Sequence, residues 1–254
     1  MKNLKQRIYA GETVHGCWVN LGSLVSAEIM GCAGFDWLLI DLEHGAVDFA
    51  IMYQQLQILE NSDATVFVRT DDPSKGKIQK ILDAGAGGIM FPQFRNAQEA
   101  EQAVHSMYYP PRGGRGMAKM VRAMQFGLRA DDYIGNLDEN LVSIIQIETL
   151  EAMKNIDAIA STPGVDVLFV GPNDLSLALG IFGQLQHKLY QDAIRVVADA
   201  ARKHGKVAGV LLQDVHEYDM YAQLGYRFLA CGADATFVNK GAKEMVSQLN
   251  QKRK

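Results

Sequence analysis

The chain lacks several features that mark specialised protein classes. Its 254 residues contain only three cysteines, Cys17, Cys32 and Cys231, which are widely spaced and form neither a CxxC pair nor a disulfide framework. No apolar run reaches the roughly 18 residues that a membrane-spanning helix requires. The first residues are positively charged but no apolar segment follows them, so we expect no signal peptide. These absences predict a cytoplasmic protein without a membrane partner.

An excess of basic residues is also missing. Asp and Glu number 29 against 25 Lys and Arg, which gives a formal net charge of −4 at pH 7. Proteins that bind nucleic acids normally present a basic face, so we expect no nucleic-acid partner. Hydrophobic residues make up 48% of the chain, a proportion typical of a folded globular protein and not of a disordered one.

Short β-rich segments alternate with longer amphipathic segments along the chain. Several of the eight predicted strands are continuous apolar runs, as in a parallel sheet that is buried on both faces. The predicted strands are 15–20, 37–42, 65–69, 88–92, 142–148, 165–171, 207–212 and 228–232. The predicted helices are 23–33, 48–60, 74–84, 96–107, 149–161, 190–204, 214–224 and 241–250. Eight strand–helix units predict an α/β fold, a single (β/α)8 TIM barrel that occupies residues 1–254.

A doubly wound sheet is the alternative architecture. Six strands are more usual there, and a GxGxxG motif is absent after the first predicted strand. The interval 108–140 is long for a loop, although it includes a short predicted helix at 131–140. A loop of this length in a compact domain is usually functional or part of an interface.

Chemistry in barrels of this type takes place at the carboxyl ends of the strands. The polar residues at those ends are Asp41, Glu43, His44, Arg69, Gln93, Gln146, Glu148, Asn173 and Asp174. Strand alternation places Gln146 and Glu148 on one face and Ile147 on the other. Two polar side chains that face a barrel interior need partners, and a metal ion is a good partner.

Glu148 and Asp174 end neighbouring predicted strands and offer two hard oxygen ligands, which suit Mg²⁺ or Mn²⁺ better than structural zinc. Such an ion can chelate a 2-oxo acid, polarise its carbonyl and stabilise an enolate. Arg69 can add positive charge at the same oxygen, and His44 can act as a base near neutral pH. The pattern therefore indicates carbanion chemistry next to a carbonyl group.

Each of these residues also has a simpler structural interpretation. Asp174 could cap the turn that begins at Leu175, His44 could be a surface histidine, and Arg69 could form a salt bridge with a nearby carboxylate. A lysine Schiff base is the other common route to aldol chemistry. We do not expect it here, because the predicted strands contain no lysine.

Six short motifs occur in a fixed order between about residues 15 and 240. They are Asp41-x-Glu43-His44-Gly45, Val68-Arg69, Leu82-Asp83-Ala84-Gly85-Ala86-x-Gly88-Ile89-Met90-x-Pro92, Tyr109-Pro110-Pro111-x-Gly113-x-Arg115-Gly116, Gln146-x-Glu148 and Gly171-Pro172-x-Asp174-Leu175-Ser176. Each motif is short, but the ordered set resembles the HpcH/HpaI aldolase family, which comprises metal-dependent pyruvate aldolases.

The resemblance implies a role for each matching residue. Glu148 and Asp174 would bind a divalent metal ion (Mg²⁺, Mn²⁺ or Co²⁺), His44 would accept the proton, and Arg69 would stabilise the transition state. Asp83 would increase the basicity of the active-site histidine of a neighbouring subunit. The implied substrate-binding residues are Gln146, Asn173, Asp174 and Leu211, with Asn173 and Asp174 using their backbone N–H groups. Members of the family assemble as hexamers that are built as dimers of trimers, so we expect a homo-oligomer.

The implied reaction is class II aldol cleavage of a 4-hydroxy-2-oxo acid to pyruvate and an aldehyde, through a metal-bound pyruvate enolate. Siderophore-type citrate synthesis and oxaloacetate decarboxylation use similar chemistry and remain alternatives, as does a non-catalytic sensor. Two residues depart from the family pattern: Asn173 replaces Ala or Ser, and Gly45 replaces Ala. The aldehyde stays open, with Arg112, Arg115 and Arg122 as candidates for reading a distal carboxylate.

Overall fold

Eight parallel strands form a closed barrel, paired in chain order with the last strand back on the first. They are β1 (Val14–Val19), β2 (Trp37–Asp41), β3 (Thr65–Arg69), β4 (Gly88–Phe91), β5 (Val142–Ile147), β6 (Val167–Val170), β7 (Val207–Leu212) and β8 (Tyr226–Ala233). This computed structural model describes residues 3–253, so the outermost residues of the predicted domain, 1, 2 and 254, lie outside it. The predicted (β/α)8 TIM barrel is confirmed, and the doubly wound sheet is wrong.

Helices surround the barrel and follow most of the strands. They are α1 (Leu4–Tyr9), α2 (Leu24–Cys32), α3 (Phe49–Ile58), α4 (Lys75–Asp83), α5 (Ala97–Met107), α6 (Ala130–Gly135), α7 (Leu137–Asn140), α8 (Leu150–Lys154), α9 (Ile156–Ser161), α10 (Pro172–Ala178), α11 (Lys188–Lys203), α12 (Tyr218–Leu224) and α13 (Asp234–Lys252). Within residues 3–253, no helix combines the length and hydropathy needed to cross a bilayer.

Several helix boundaries differ from the sequence-based predictions. The short helices α1 and α10 were not predicted, and the predicted helix 149–161 is two helices that meet at Asn155. The predicted helix 131–140 is likewise split into α6 and α7 at Asn136. The last helix begins at Asp234 instead of 241. Short helices carry too few periodic positions for hydrophobic spacing to reveal them.

The strands bury both of their faces, and alternate residues belong to two separate hydrophobic clusters. On β2, Leu38 and Ile40 pack in the layer between strands and helices, whereas Trp37 and Leu39 point into the barrel. Aromatic rings fill much of the interior, with the Trp37 ring stacked on Phe228 at a centroid distance of 4.2 Å. This packing explains why the strands appear in the sequence as continuous apolar runs.

Helix α1 closes the amino-terminal end of the barrel. Its buried residues Leu4 and Ile8 belong to the interior cluster. Beside them, the buried carboxylate of Asp166 accepts hydrogen bonds from Lys5 Nζ at 3.1 Å and from the Tyr9 hydroxyl at 2.8 Å, and the Ser143 backbone N–H donates to it at 2.9 Å. With this end closed, the carboxyl ends of the strands are left as the open end of the barrel.

Candidate active site

A cavity of about 330 Å³ opens at the carboxyl ends of the strands. The predicted site residues that line it are His44, Arg69, Gln146, Asn173, Asp174 and Leu211. We call it the main cavity. The structure therefore brings six of the eight predicted site residues around one opening, although they come from five different strand ends or the loops that follow.

A second cavity of about 310 Å³ adjoins the first and is lined by Gln93, Glu148 and Asp174 among others. We call it the side cavity. Asp174 lines both cavities. The predicted metal ligands Glu148 and Asp174 thus lie together at the boundary between the two openings.

Arg69 is held at the end of β3 by two carboxylates. Its Nε donates to Asp41 Oδ1 at 2.8 Å and its Nη2 to Asp41 Oδ2 at 2.6 Å, and Nη1 lies 3.0 Å from Glu43 Oε2. The guanidinium also lies 5.8 Å from the centroid of the Trp18 ring. The salt bridge considered as the simpler interpretation is present, and it is bidentate, which fixes the orientation of the guanidinium plane.

The loop after β2 is built around the carboxylate of Asp41. Asp41 Oδ1 accepts hydrogen bonds from the backbone N–H groups of Glu43 at 3.0 Å and His44 at 3.3 Å. A Cβ at Gly45 would lie 2.2 Å from the carbonyl oxygen of Asp41. The departure at Gly45 therefore has a local reason, since alanine does not fit this tight turn without a backbone shift.

Glu148 follows β5 and is only 3% exposed. Its Oε1 accepts hydrogen bonds from the backbone N–H of Gln93 at 2.8 Å and from Gln93 Nε2 at 3.1 Å, and its Oε2 accepts one from Gln146 Nε2 at 2.9 Å. The predicted shared face of Gln146 and Glu148 is confirmed by this contact. The pKa of Glu148 is raised to about 7, mainly by burial and also by the nearby Asp174 and Glu43 carboxylates, against the opposing effect of the Gln93 hydrogen bond.

Two observations fit a cation at Glu148 and Asp174. The first is that the desolvated carboxylate of Glu148 lies near the carboxylate of Asp174. The second is that all three hydrogen-bond donors to Glu148 are neutral. Beside this pair, Gln146 Oε1 is buried and has no hydrogen-bond partner among residues 3–253, so it can accept a hydrogen bond from a ligand. Within that range no three His, Cys, Asp or Glu side chains cluster as a complete metal site, so water or substrate would complete the coordination, as is usual for Mg²⁺.

Asp174 lies in the first turn of α10, whose N-cap is Gly171 and whose first residue is Pro172. Proline is favoured at this position because its missing N–H has no acceptor there. The alternative in which Asp174 caps a turn beginning at Leu175 is therefore wrong. The backbone N–H groups of Asn173 and Asp174 have no acceptor among residues 3–253, so both remain available to an anion.

The side chain of His44 is 68% exposed, with Nε2 at 3.9 Å from Glu43 Oε2. Asp83 lies at the carboxyl end of α4, where its side chain accepts a hydrogen bond from Arg115 Nη2 at 2.5 Å. Within residues 3–253 of a single chain, Asp83 makes no contact with His44. Of the eight predicted site residues, Asp83 is therefore the one that lines neither the main cavity nor the side cavity within residues 3–253.

The three arginines considered for a distal carboxylate all lie outside the main cavity. Arg115 is buried against Asp83 and Tyr133, Arg122 donates to the Ala84 and Leu56 carbonyl oxygens, and Arg112 pairs with Asp138. Each of these guanidinium groups is already occupied by structural partners. None of them reads a substrate carboxylate within one subunit.

Sequence reasoning missed three residues of the site. Trp18 and Phe169 line the main cavity, with ring centroids 5.6 Å apart, and Gln93 holds Glu148 from the side cavity. Gln93 was noted as a strand-end residue, but no sequence signal predicts its contact with Glu148. Alternation along β1 and β6 could have identified the inward positions of Trp18 and Phe169.

Comparisons with known proteins agree with this arrangement. The family model HpcH/HpaI aldolase/citrate lyase matches residues 15–240. This chain belongs to that family. The named relatives described next are aldolases, and the chain is accordingly a carbon–carbon lyase of the aldolase type.

A 5-keto-4-deoxy-D-glucarate aldolase of Shigella boydii is 39% identical over 91% of this chain and 89% of its own length. A hydroxypyruvate/pyruvate aldolase of Paraburkholderia phytofirmans is 35% identical over 97% of this chain and 96% of its own. Among solved structures, an HpcH/HpaI aldolase/citrate lyase family protein of Burkholderia cenocepacia superposes with a TM-score of 0.93 at 33% identity, covering 98% of this chain and 100% of that one.

Proposed function

We propose that the protein is a metal-dependent class II aldolase that reversibly cleaves a 4-hydroxy-2-oxo acid into pyruvate and an aldehyde. The observation that carries this proposal is the carboxylate pair of Glu148 and Asp174 beside a cavity that contains the anchored guanidinium of Arg69. Relatives at 35% and 39% identity that are named as aldolases support the reaction class. Small-molecule substrates also suit a main cavity of about 330 Å³.

In this proposal Glu148 and Asp174 hold Mg²⁺, Mn²⁺ or Co²⁺. When bound, such an ion polarises the keto carbonyl of the substrate and neutralises the charge that develops on its oxygen. The unpartnered Gln146 Oε1 can only accept a hydrogen bond. We therefore assign it to a hydroxyl group of the substrate, since a 4-hydroxy-2-oxo acid brings a donor into the cavity.

Arg69 would stabilise the negative charge on the former keto oxygen. A guanidinium has five N–H donors. Two of them donate to Asp41, and a third belongs to Nη1, which forms an ion pair with Glu43 at 3.0 Å. Two donors are left for an oxygen in the main cavity, and the carboxylates prevent the group from reorienting. A preorganised donor of this kind contributes to catalysis because it needs no rearrangement as charge develops.

The pyruvate carboxylate would bind at the first turn of α10, where the N–H groups of Asn173 and Asp174 are free. Asn173 uses its backbone for this role, so the polar side chain at this position is compatible with it. Leu211, on the neighbouring strand β7, also lines the main cavity and would supply an apolar wall.

His44 would move the proton. In cleavage it takes the proton from the 4-hydroxyl group, the C3–C4 bond breaks, and the electron pair passes to the three-carbon enolate. Protonation of the enolate at C3 then gives pyruvate. Glu43 Oε2 lies 3.9 Å from Nε2 of His44.

We also propose that the active form is a homo-oligomer, a hexamer built as a dimer of trimers. Asp83 makes no contact with His44 within residues 3–253 of one chain, and the ring of His44 is exposed, so Asp83 of another subunit would be the one to approach it. Helix α13 supports assembly too, because it carries exposed apolar side chains: Phe237, Val238, Met245, Val246 and Leu249. Exposed apolar patches of this kind usually mark interfaces. Sedimentation should give a hexamer, and an active monomer would contradict this part of the proposal.

A cytoplasmic setting and one aldolase barrel domain over residues 1–254 complete the proposal. All three cysteines are free thiols in the described chain, which suits a reducing compartment. The family match covers residues 15–240.

Proton exchange in D₂O tests the central claim. With Mg²⁺ and pyruvate, the methyl signal of pyruvate should disappear from the proton spectrum, and EDTA should stop the exchange. A sensor would bind pyruvate without exchange. A panel of aldehydes then separates an aldolase from a citrate-forming or oxaloacetate-decarboxylating enzyme. Exchange that survives exhaustive chelation, with borohydride trapping a lysine adduct, would overturn the metal-dependent mechanism.

A further inference from the structure

Gln93 has an unusual backbone conformation. It follows β4 and Pro92, and its φ of 59° lies in the left-handed region that residues with a Cβ rarely adopt. In residues 3–253 the other non-glycine residues with positive φ are Gln125 and Phe126, which lie in exposed turns. A conformation of this kind persists where the surrounding structure selects it, often at a functional site.

This conformation lets Gln93 donate twice to one atom. Its backbone N–H lies 2.8 Å from Glu148 Oε1, and its side-chain Nε2 lies 3.1 Å from the same oxygen. An ionised carboxylate has about two acceptor sites on each oxygen. Both sites on Oε1 are therefore occupied by one residue.

The other oxygen of Glu148 is left partly open. Oε2 accepts one hydrogen bond, from Gln146 Nε2 at 2.9 Å. Oε2 lies against the backbone of Gly171, because a Cβ placed on Gly171 would be only 2.4 Å from this oxygen. Gly171 is the N-cap of α10, three residues before Asp174. The oxygen with a free acceptor site is thus the one on the side of the Asp174 helix.

We propose that Gln93 is a positioning residue that orients Glu148 for cation binding. By filling Oε1 with two donors, it leaves Oε2 as the oxygen that Glu148 presents, together with Asp174, to a divalent cation. The inference rests on the proposed function, because it assigns a partner to one of the proposed metal ligands. Gln93 lines the side cavity and not the main cavity, so it acts on the cation and not on the organic substrate.

Two substitutions separate the two donors. Gln93→Gly removes the side-chain donor, keeps the backbone N–H and accepts a positive φ without strain. Gln93→Val removes the side-chain donor and also disfavours the left-handed backbone, because a β-branched residue is an outlier there. The backbone donor is therefore displaced only in the valine variant.

The readout is Mn²⁺ affinity without substrate, measured from the electron paramagnetic resonance signal of free Mn²⁺. Loss of a residue that orients a metal ligand typically weakens binding by about 10–100-fold. We expect Gln93→Gly to fall near the lower end of that range and Gln93→Val near the upper end. At saturating Mn²⁺, the KM for the organic substrate should stay unchanged and kcat should largely recover.

Gln125 provides a matched control, since it is also an exposed glutamine with positive φ (47°) but lines neither the main cavity nor the side cavity. Gln125→Gly and Gln125→Val should bind Mn²⁺ as the wild type does. Should Gln93→Val fail to fold, Gln93→Gly still decides the question, because its backbone is relieved and not strained.

Wild-type Mn²⁺ affinity in both Gln93 variants would overturn the positioning role while leaving the aldolase proposal intact. A loss of kcat that saturating Mn²⁺ does not restore would also overturn it, since that pattern means a role in the chemistry or in the fold. A wild-type enzyme that binds no Mn²⁺ would overturn both the positioning role and the proposed metal dependence.

Discussion

Two buried carboxylates lie at opposite ends of the barrel and differ in the groups that hold their charge. Asp166 and Glu148 are both 3% exposed. Asp166, at the end closed by α1, accepts hydrogen bonds from the ammonium group of Lys5, a tyrosine hydroxyl and a backbone N–H. Glu148, at the open end, accepts its three hydrogen bonds from neutral donors. Within residues 3–253 it forms no ion pair with a lysine, arginine or histidine.

The difference shows which carboxylate belongs to the fold and which is available for function. Burying a charge is costly unless a counter-charge accompanies it. Lys5 supplies that counter-charge for Asp166, so this end of the barrel is complete by itself. Glu148 has no such partner, and its pKa rises to about 7. A strongly shifted group in a cleft is a common mark of a functional site, and a divalent cation is the partner that would balance it.

Glu148→Gln should produce the largest effect, because it removes the charge that the open end keeps without a counter-charge. A metal ion contributes several kcal/mol to such a reaction, so we expect kcat to fall by on the order of 10³-fold or more. Steady-state kinetics and Mn²⁺ titration measure the effect. The control is Glu151→Gln, an exposed glutamate of the side cavity. Activity within tenfold of the wild type would remove Glu148 from the proposed metal site.

Arg69→Lys examines the guanidinium group at the same open end of the barrel. Lysine cannot reproduce the planar fork of donors, and loss of one such donor typically lowers kcat by about 10²–10³-fold. Cleavage and proton exchange in D₂O should fall together, since both pass through the enolate. Exposed Arg95→Lys is the control. Normal exchange with lost cleavage would instead assign Arg69 to the aldehyde half of the reaction.

Asp166→Asn should lower the stability of the fold and change kcat little, which is the reverse of what we expect for Glu148→Gln. Removing one partner of a buried ion pair costs about 3–5 kcal/mol, and Lys5 is left without its counter-charge. Urea unfolding measures the free energy, and kcat below the transition measures activity. Asp199→Asn, in an exposed pair with Arg202, should change stability little. A comparable loss of kcat in Asp166→Asn would contradict the division between the two ends.

The smallest effect concerns the pH dependence of stability in the metal-free enzyme. Burial raises the pKa of Glu148 to about 7, above its unfolded value, so the folded state binds this proton more tightly. The resulting stability is present below the unfolded pKa of about 4.3 and is lost as pH rises toward 7. Metal-free Glu148→Gln should therefore be more stable than metal-free wild type at pH 8, with a free energy of unfolding higher by at most about 4 kcal/mol and a correspondingly higher unfolding temperature. Thermal melts from pH 5 to 8 measure this, and a constant difference would contradict the shift.

The sequence allowed the barrel and most of the site to be predicted. Strand runs such as 65–69 and 207–212 coincide with β3 and β7, because a strand buried on both faces has an unmistakable apolar composition. His44, Arg69, Gln146, Asn173, Asp174 and Leu211 meet at one cavity as strand-end positions should. Helices α1 and α10 escaped prediction because six or seven residues display too little periodicity.

Residue type and order determined by themselves that the chain is a parallel barrel with carboxylates, an arginine and a histidine at one end. That much follows from hydrophobic alternation and from the rule that parallel strands end together. Only the tertiary structure decided that the buried carboxylate of Asp166 is paired with a lysine of the chain, whereas that of Glu148 is not. Lys5 and Asp166 are 161 residues apart in sequence, and Gln93 and Glu148 are 55 apart. Contacts over such separations depend on how the barrel closes, which no local pattern encodes.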